Sequence, residues 1–238
     1  MTGERAAPRL TPRPPDEGPP SWAADPEGLL KSGPESVKAA LTGGVASGKS
    51  TVAALLEAFG AARLDFDVFV RGLSEPGGAC FEQIQSLFGP KATGRDGRLD
   101  RVYIRDLAFK NREMRKALED VLHPASWSVM LAELGALGPL PLIVVEVPLL
   151  FEARLDSLFD PVILSFASPE RQVKRLMDRD ESLGRRKAKR IVETQTPILE
   201  KLRRAGIVVD NNGPMSQVVA QTKKVWTMLT AGAPVSRG

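Results

Sequence analysis

The sequence predicts an α/β protein, a five-stranded parallel sheet with flanking helices and a helical insertion between the second and third strands. Three observations predict it. Short, continuous apolar runs alternate with helical patterns, and the clearest, Pro141-Leu-Ile-Val-Val-Glu-Val147, reads as a strand buried on both faces. The stretch Ala40-Leu-Thr-Gly-Gly-Val-Ala-Ser-Gly-Lys-Ser-Thr51 joins the first such run to a helical pattern through a glycine-rich turn. Residues 91–135 break the alternation, with a loop and then helical spacing but no strand.

Composition bounds the answer without choosing it. A chain of 238 residues with 42% hydrophobic and 26% charged residues suits one large domain, or a core domain carrying insertions. No apolar run approaches the 18 residues of a membrane span, and the start lacks the apolar centre of a secretory signal. The single cysteine, Cys80, cannot form an internal disulfide, which fits a reducing cytoplasm, and nothing in the sequence activates it. The net charge of +4 invites a nucleic-acid reading, but the basic residues are spread over several segments without interleaved aromatics. An enzyme binding two phosphate-rich small molecules needs a positive cleft as well.

Residues 1–35 hold eight of the 19 prolines and almost no periodic apolar pattern, so they read as a disordered arm. Strand one is expected at about 37–42 and helix one at 49–59, with Gly60 as its C-terminal cap. Residues 61–66 form a second short strand with Asp65 and Asp67 at its carboxyl end, the end at which parallel sheets bind ligands. A helical turn follows over 67–73, then a helix over 81–88 that stops at Gly89-Pro90. Thr93-Gly-Arg-Asp-Gly97 is turn chemistry. Leu99 to Phe109 and Met114 to Leu122 then repeat at helical spacing, Pro124 interrupts, and the pattern resumes from Trp127 to Leu134. After the strand at 141–147 come a strand at 160–167 and a helix opening at Ser168-Pro169, followed by a charged stretch at 180–189. A helix at about 188–203, a fifth strand at 206–210 and a last helix at 215–229 complete a P-loop kinase-like architecture.

Gly43, Gly48, Lys49 and Ser50 match the spacing G-x-x-x-x-G-K-[ST]. Glycines let the backbone curl until successive N–H groups point at a phosphate, and the helix beginning there adds its positive end. Gly43, Gly44, Val45, Ala46, Ser47, Gly48, Lys49, Ser50 and Thr51 are therefore the expected nucleotide loop. Lys49 reaches the β and γ phosphates, and the Ser50 hydroxyl is a ligand for Mg²⁺.

The chain resembles the dephospho-CoA kinase family from about residue 37 to 229. The resemblance is carried by the loop, by Asp65-Phe-Asp67 with Arg71, by Gly97-Arg-Leu-Asp-Arg101, and by Leu118-Glu with Leu122-His-Pro124. Further along it is carried by Glu146-Val-Pro-Leu-Leu-Phe-Glu152, by Gln172, Arg175 and Arg179, by Arg190-Ile191 with Gln195 and Pro197, and by Asp210-Asn211. It implies a nucleotide core (36–92, 139–178 and 204–230), a CoA-binding insertion (93–138), a lid (179–203) and a flexible tail (231–238). It implies ATP and dephospho-CoA as substrates, with neither nucleic acid nor membrane as partner. The chain departs from the family at Ala46, where a second loop glycine is usual, and at Arg185-Arg-Lys187, where the lid is usually acidic. It departs again at Gly206, and the arm has no counterpart.

Roles follow from that resemblance. Asp65 orients the acceptor hydroxyl and takes its proton, although an aspartate there also serves as a helix N-cap. Lys49 and the loop hold the donor, Arg190 neutralises the transferring group, and Arg179 is the second lid arginine on ATP. Asp67, Arg71, His123 and Leu149 fall on the acceptor side. The residues alone leave other readings open: Arg71 paired with Asp67 one turn away, His123 as a structural helix-end residue, and Arg185–Lys189 as a solvated face. Two rival functions share parts of the pattern, another P-loop nucleoside or nucleotide kinase and a basic nucleic-acid-binding protein. The oligomeric state is not legible in the sequence.

Overall fold

A computed structural model describes residues 18–25, 27–33, 36–138 and 140–231. The chain divides into two compact units, one of Leu30–Leu64 with the chain from Leu137 onward, the other of Ser21–Leu29 with Asp65–Ala136.

The first unit is built on the sheet. Strands β1 (Val37–Gly43), β2 (Ala62–Asp65), β3 (Leu142–Glu146), β4 (Val162–Phe166) and β5 (Ile207–Asp210) lie in the order β2-β3-β1-β4-β5, all parallel. β1 pairs with β3 from Val37↔Leu142 to Leu41↔Glu146, and with β4 from Ala40↔Val162 to Gly43↔Ser165. All five residues of β3 are buried, as a strand covered by helices on both faces must be. Helix α1 (Lys49–Ala58) buries Val52, Ala53 and Leu56 in a core with Leu41, Val144, Ile163 and Val209. A C-terminal helix (Met215–Thr230) adds Val218 and Val225 to that core.

The second unit is helical: α2 (Phe66–Leu73), α3 (Phe81–Phe88), α4 (Arg101–Lys110) and α5 (Arg112–Ala136). Ile84, Phe88, Leu99 and Ile104 form its core, with Met114, Leu118 and Leu122 packed against them. The expected turn at Thr93–Gly97 closes through a Gly94 N–H donating to the Arg98 carbonyl at 2.8 Å. Of the Gly97–Arg101 motif, Leu99 enters this core and Asp100 caps α4, accepting from the Val102 and Tyr103 N–H groups.

Three expectations are corrected. Pro124 does not interrupt its helix, since α5 runs through it. The missing N–H removes one hydrogen bond, and core contacts on both sides, from Leu118 and Leu122 to Trp127 and Met130, hold the helix. The helix expected at 188–203 is two. In the first unit α6 (Pro169–Arg179) is followed by α7 (Arg185–Glu193) and α8 (Ile198–Arg204), because Pro197 sits between the last two in extended backbone (ψ 135°). Residues Ser21–Ala23 make a 3-10 turn within the expected arm, and Ala23 is 2% exposed. Trp22, Ala23, Leu29 and Leu30 supply apolar anchors there, and Ala23 and Leu30 are buried. Residues 1–17 and 232–238 lie outside the described residues.

Candidate active site

The loop between β1 and α1 has the shape its sequence implies. A Cβ on Gly43 would lie 2.4 Å from Ser47 Oγ and 2.7 Å from the Ser165 carbonyl oxygen. One on Gly44 would meet Gln172 Oε1 at 2.4 Å. Gly48 adopts φ 90°, in the left-handed region, with the Asn211 amide 1.9 Å from where its Cβ would be. Larger residues at these positions would push the neighbouring groups apart and open the curl. Gly48 leaves the start of α1 without a side-chain cap, so its N–H groups face the loop as an anion site would require. Ser47 Oγ is buried without a hydrogen-bond partner inside this cradle. Ser50, on the first turn, is exposed, and Val45 and Thr51 are half-buried.

Ala46, flagged by its departure from the family, carries φ 55°. An L side chain is strained there by about 1–2 kcal/mol, so a glycine-favouring backbone is being held by its surroundings. Part of what holds it is visible. Arg175 on α6 donates to the Ala46 and Ser47 carbonyls at 3.3 and 3.1 Å. The same guanidinium donates to the Asn211 carbonyl at 2.8 Å and its Oδ1 at 3.1 Å, tying the loop to the end of β5. Burial, with Arg171 and Arg179 nearby, lowers the Arg175 pKa below its ordinary value. Gln195, just past α7, accepts from the Val45 N–H at 2.8 Å.

Lys49 Nζ donates to Glu146 Oε1, at the carboxyl end of β3. Arg63 of β2 donates to Glu146 Oε2 through Nε at 3.0 Å and an Nη at 2.7 Å, a bidentate pair. The Glu146 side chain is 2% exposed, so two cations compensate one buried carboxylate. Glu152, the other acid of that segment, holds a loop. It accepts from the Thr196 N–H at 2.9 Å and makes a 2.9 Å ion contact, not a directed hydrogen bond, with the fully buried Lys201.

In the lid region α7 packs Ala188, Ile191 and Val192 with Val173 and Leu183. Arg185, Arg186, Lys187 and Lys189 are exposed, which is the solvated face expected of them. Arg190 and Arg179 are exposed too, and Leu149 is 45% exposed in the turn after β3.

Of the acceptor-side residues expected from sequence, Asp65, Asp67, Arg71 and His123 fall in the helical unit, and Leu149 falls in the sheet unit. Asp65 ends β2 and is the N-cap of α2, its Oδ1 accepting from the Asp67 N–H at 3.0 Å. The cap reading is thus realised, and it does not exclude the other. Asp67 and Arg71 are exposed on α2. His123 is partly buried on α5, and desolvation drives its pKa below the ordinary value while Asp120 pulls it up. Cys80 is buried, burial pushes its thiol up, and the Sγ donates to the Val121 carbonyl at 3.7 Å. It is a core residue. This unit also holds a cavity of about 360 Å³, floored by Ile84, Leu99, Ile104 and Leu118 and edged by Arg101, Arg105 and Arg115.

The sequence reading underweighted Arg63, Glu146, Arg175 and Gln195. Glu146 ends an apolar run, Arg175 and Gln195 enter only through the family resemblance, and Arg63 carries no signal. Arg63, Arg175 and Gln195 act on partners far along the chain.

A parallel sheet whose first strand opens into this loop, with an arginine-bearing segment after β4, defines a P-loop phosphotransferase. The dephospho-CoA kinase family model matches residues 37–217. The dephospho-CoA kinase of Geobacillus kaustophilus is 37% identical over 183 residues, 76% of this chain and 90% of the relative. That of Anaeromyxobacter dehalogenans is 38% identical over 195 residues, 81% and 92% of the two chains. Among solved structures, TT1252 from Thermus thermophilus matches with a TM-score of 0.71 at 34% identity, over 80% of this chain and 96% of that one. The chain belongs to the dephospho-CoA kinase family, whose members are ATP-dependent kinases that transfer phosphate to a hydroxyl.

Proposed function

We propose that this enzyme transfers the γ-phosphoryl of ATP to the ribose 3′-hydroxyl of dephospho-CoA, giving CoA and ADP. The observation that carries the reading is the phosphate loop, with Lys49 held ready on Glu146, within the 37–217 stretch that matches the family. Phosphoryl transfer asks for alignment and charge neutralisation more than covalent chemistry. Lys49 would exchange Glu146 for the β and γ phosphates, leaving Glu146 paired to Arg63. The loop N–H groups from Gly43 to Thr51 would hold the donor, with Arg179 beside it. Ser50, an exposed hydroxyl beside the phosphate cradle, fits a hard cation, and Mg²⁺ bound there would neutralise phosphate charge.

Asp65, at the carboxyl end of β2, would align the 3′-hydroxyl and take its proton. Arg190 would neutralise the transferring group from α7. Asp67, Arg71, His123 and Leu149 would contact the acceptor. The arginine-rimmed cavity suits a molecule with an apolar arm and phosphate charges, as dephospho-CoA is. No described helix is long and apolar enough to cross a membrane. A cytoplasmic location is part of this reading, supported by a single cysteine that cannot form an internal disulfide. The test is to incubate purified protein with Mg-ATP and dephospho-CoA and follow CoA by mass. Formation of CoA with one ADP per turnover is expected, and ATP hydrolysis without CoA would overturn the assignment.

A further inference from the structure

The segment Ser21–Leu29 lies outside the residues that match the family model, yet it belongs to the helical unit. Its attachment to α5 is specific at both ends. The Trp22 ring lies 5.0 Å from the His123 ring, centroid to centroid, tilted by 41°. It meets Trp127 edge-on at 6.1 Å and 79°. Trp127, 2% exposed, donates its indole N–H to the Ala24 carbonyl at 2.8 Å. Asp25 Oδ1 accepts from the Leu29 N–H at 2.8 Å, and Leu29 lies beside Gly135, where a Cβ would touch its side chain at 3.7 Å. The segment therefore runs along α5 past His123, Trp127 and Gly135, at helical spacing.

The consequence falls on His123. An imidazole on a helix surface has a broad ring torsion, and an indole against it narrows the choice. The same cover keeps water from the ring, and His123 stays neutral around pH 7, with one N–H donor and one acceptor nitrogen. Charges on α5 and on elements packed against it include Glu119, Asp120, Asp25, Asp67, Arg71, Glu82, Arg101, Arg105 and Asp106, and Asp120 opposes the desolvation by raising the imidazole pKa. We infer that Ser21–Leu29 is part of the acceptor side of this enzyme, and that Trp22 is a positioning residue that fixes the His123 ring for dephospho-CoA. This rests on the reading of His123 as an acceptor contact given above.

The test compares full-length wild type, Trp22→Ala, Trp22→Leu and Trp22→Phe. His123 is the one histidine of the chain, so its imidazole resonance titrates without overlap. Trp22→Ala is expected to raise the KM for dephospho-CoA about three- to tenfold, the range an aromatic pair contributes. The KM for ATP and kcat stay within about twofold, and the imidazole pKa rises toward its ordinary value. Trp22→Leu keeps apolar bulk without the ring and behaves the same way, carrying the test if the alanine variant is unstable. Trp22→Phe restores the KM and the low pKa. An acceptor KM unchanged in both ring-less variants overturns the inference, as does an equal rise of both KM values. A wild type that makes no CoA from dephospho-CoA overturns the functional reading itself, a result distinct from an active wild type indifferent to Trp22.

Discussion

The sheet unit and the helical unit hold their functional groups in different ways. In the first, the loop geometry is written into neighbouring residues. Gly43 and Gly48 sit where a Cβ has no room, and α1 begins at Lys49. In the second, the candidate acceptor residues are ordinary helix positions whose value depends on distant partners. His123 is shaped by a tryptophan 101 positions away (123 − 22). A phosphate site can be specified by a dozen consecutive residues because every nucleotide presents the same phosphates. An acceptor site has to be assembled from packing.

Variants in the two units should therefore fail differently. The largest effect is expected from Asp65→Asn, which keeps shape and cap but removes the base. A drop in kcat of about 10²–10⁴ with unchanged ATP binding and melting temperature is the expectation. Asparagine caps nearly as well as aspartate, so a purely capping Asp65 would leave the variant almost silent. A fall of less than threefold would move the role to Asp67.

Lys49→Ala comes next and should strike the donor side, cutting kcat by about 10²–10³ and weakening ATP binding together. Near-normal ATP binding by calorimetry would mean the loop does not hold the donor phosphates. Arg175→Lys retains charge but loses the fork that reaches both the loop carbonyls and Asn211. It should raise the KM for ATP about tenfold and leave the KM for dephospho-CoA alone. A selective effect on the acceptor instead would show that Arg175 serves the other substrate.

The smallest effect is a gain. Ala46→Gly relieves a left-handed alanine, about 1–2 kcal/mol, against the greater chain entropy glycine loses, about 0.5–1 kcal/mol. A melting temperature higher by roughly 1–4 °C is expected. A lower one would mean that the Ala46 methyl makes packing contacts worth more than its strain.

This contrast also explains what the sequence shows and what it hides. The sheet, the loop and the order of helices follow from periodicity and glycine spacing, which are local. Glu146 was legible as an acid ending a buried run, but its clamp by Lys49 and Arg63 joins residues up to 97 positions apart. Nothing around Arg175 marks it as the tie between loop and β5. Pro124 reads as a helix breaker because one lost hydrogen bond is visible in sequence, whereas the packing of Trp127 and Met130 that outweighs it is not. Trp22 failed to stand out for a related reason. Composition averaged over a proline-rich stretch hides a single aromatic anchor.

The most direct test of a generic donor unit joined to a selective acceptor unit is a comparison of acceptors at fixed Mg-ATP. Measuring kcat/KM for dephospho-CoA, AMP, adenosine and thymidine isolates the acceptor side, because the donor is common to all four. A preference for dephospho-CoA of at least about a hundredfold is predicted, which needs only about 2.7 kcal/mol of differential transition-state binding. Equal turnover of AMP would contradict the account.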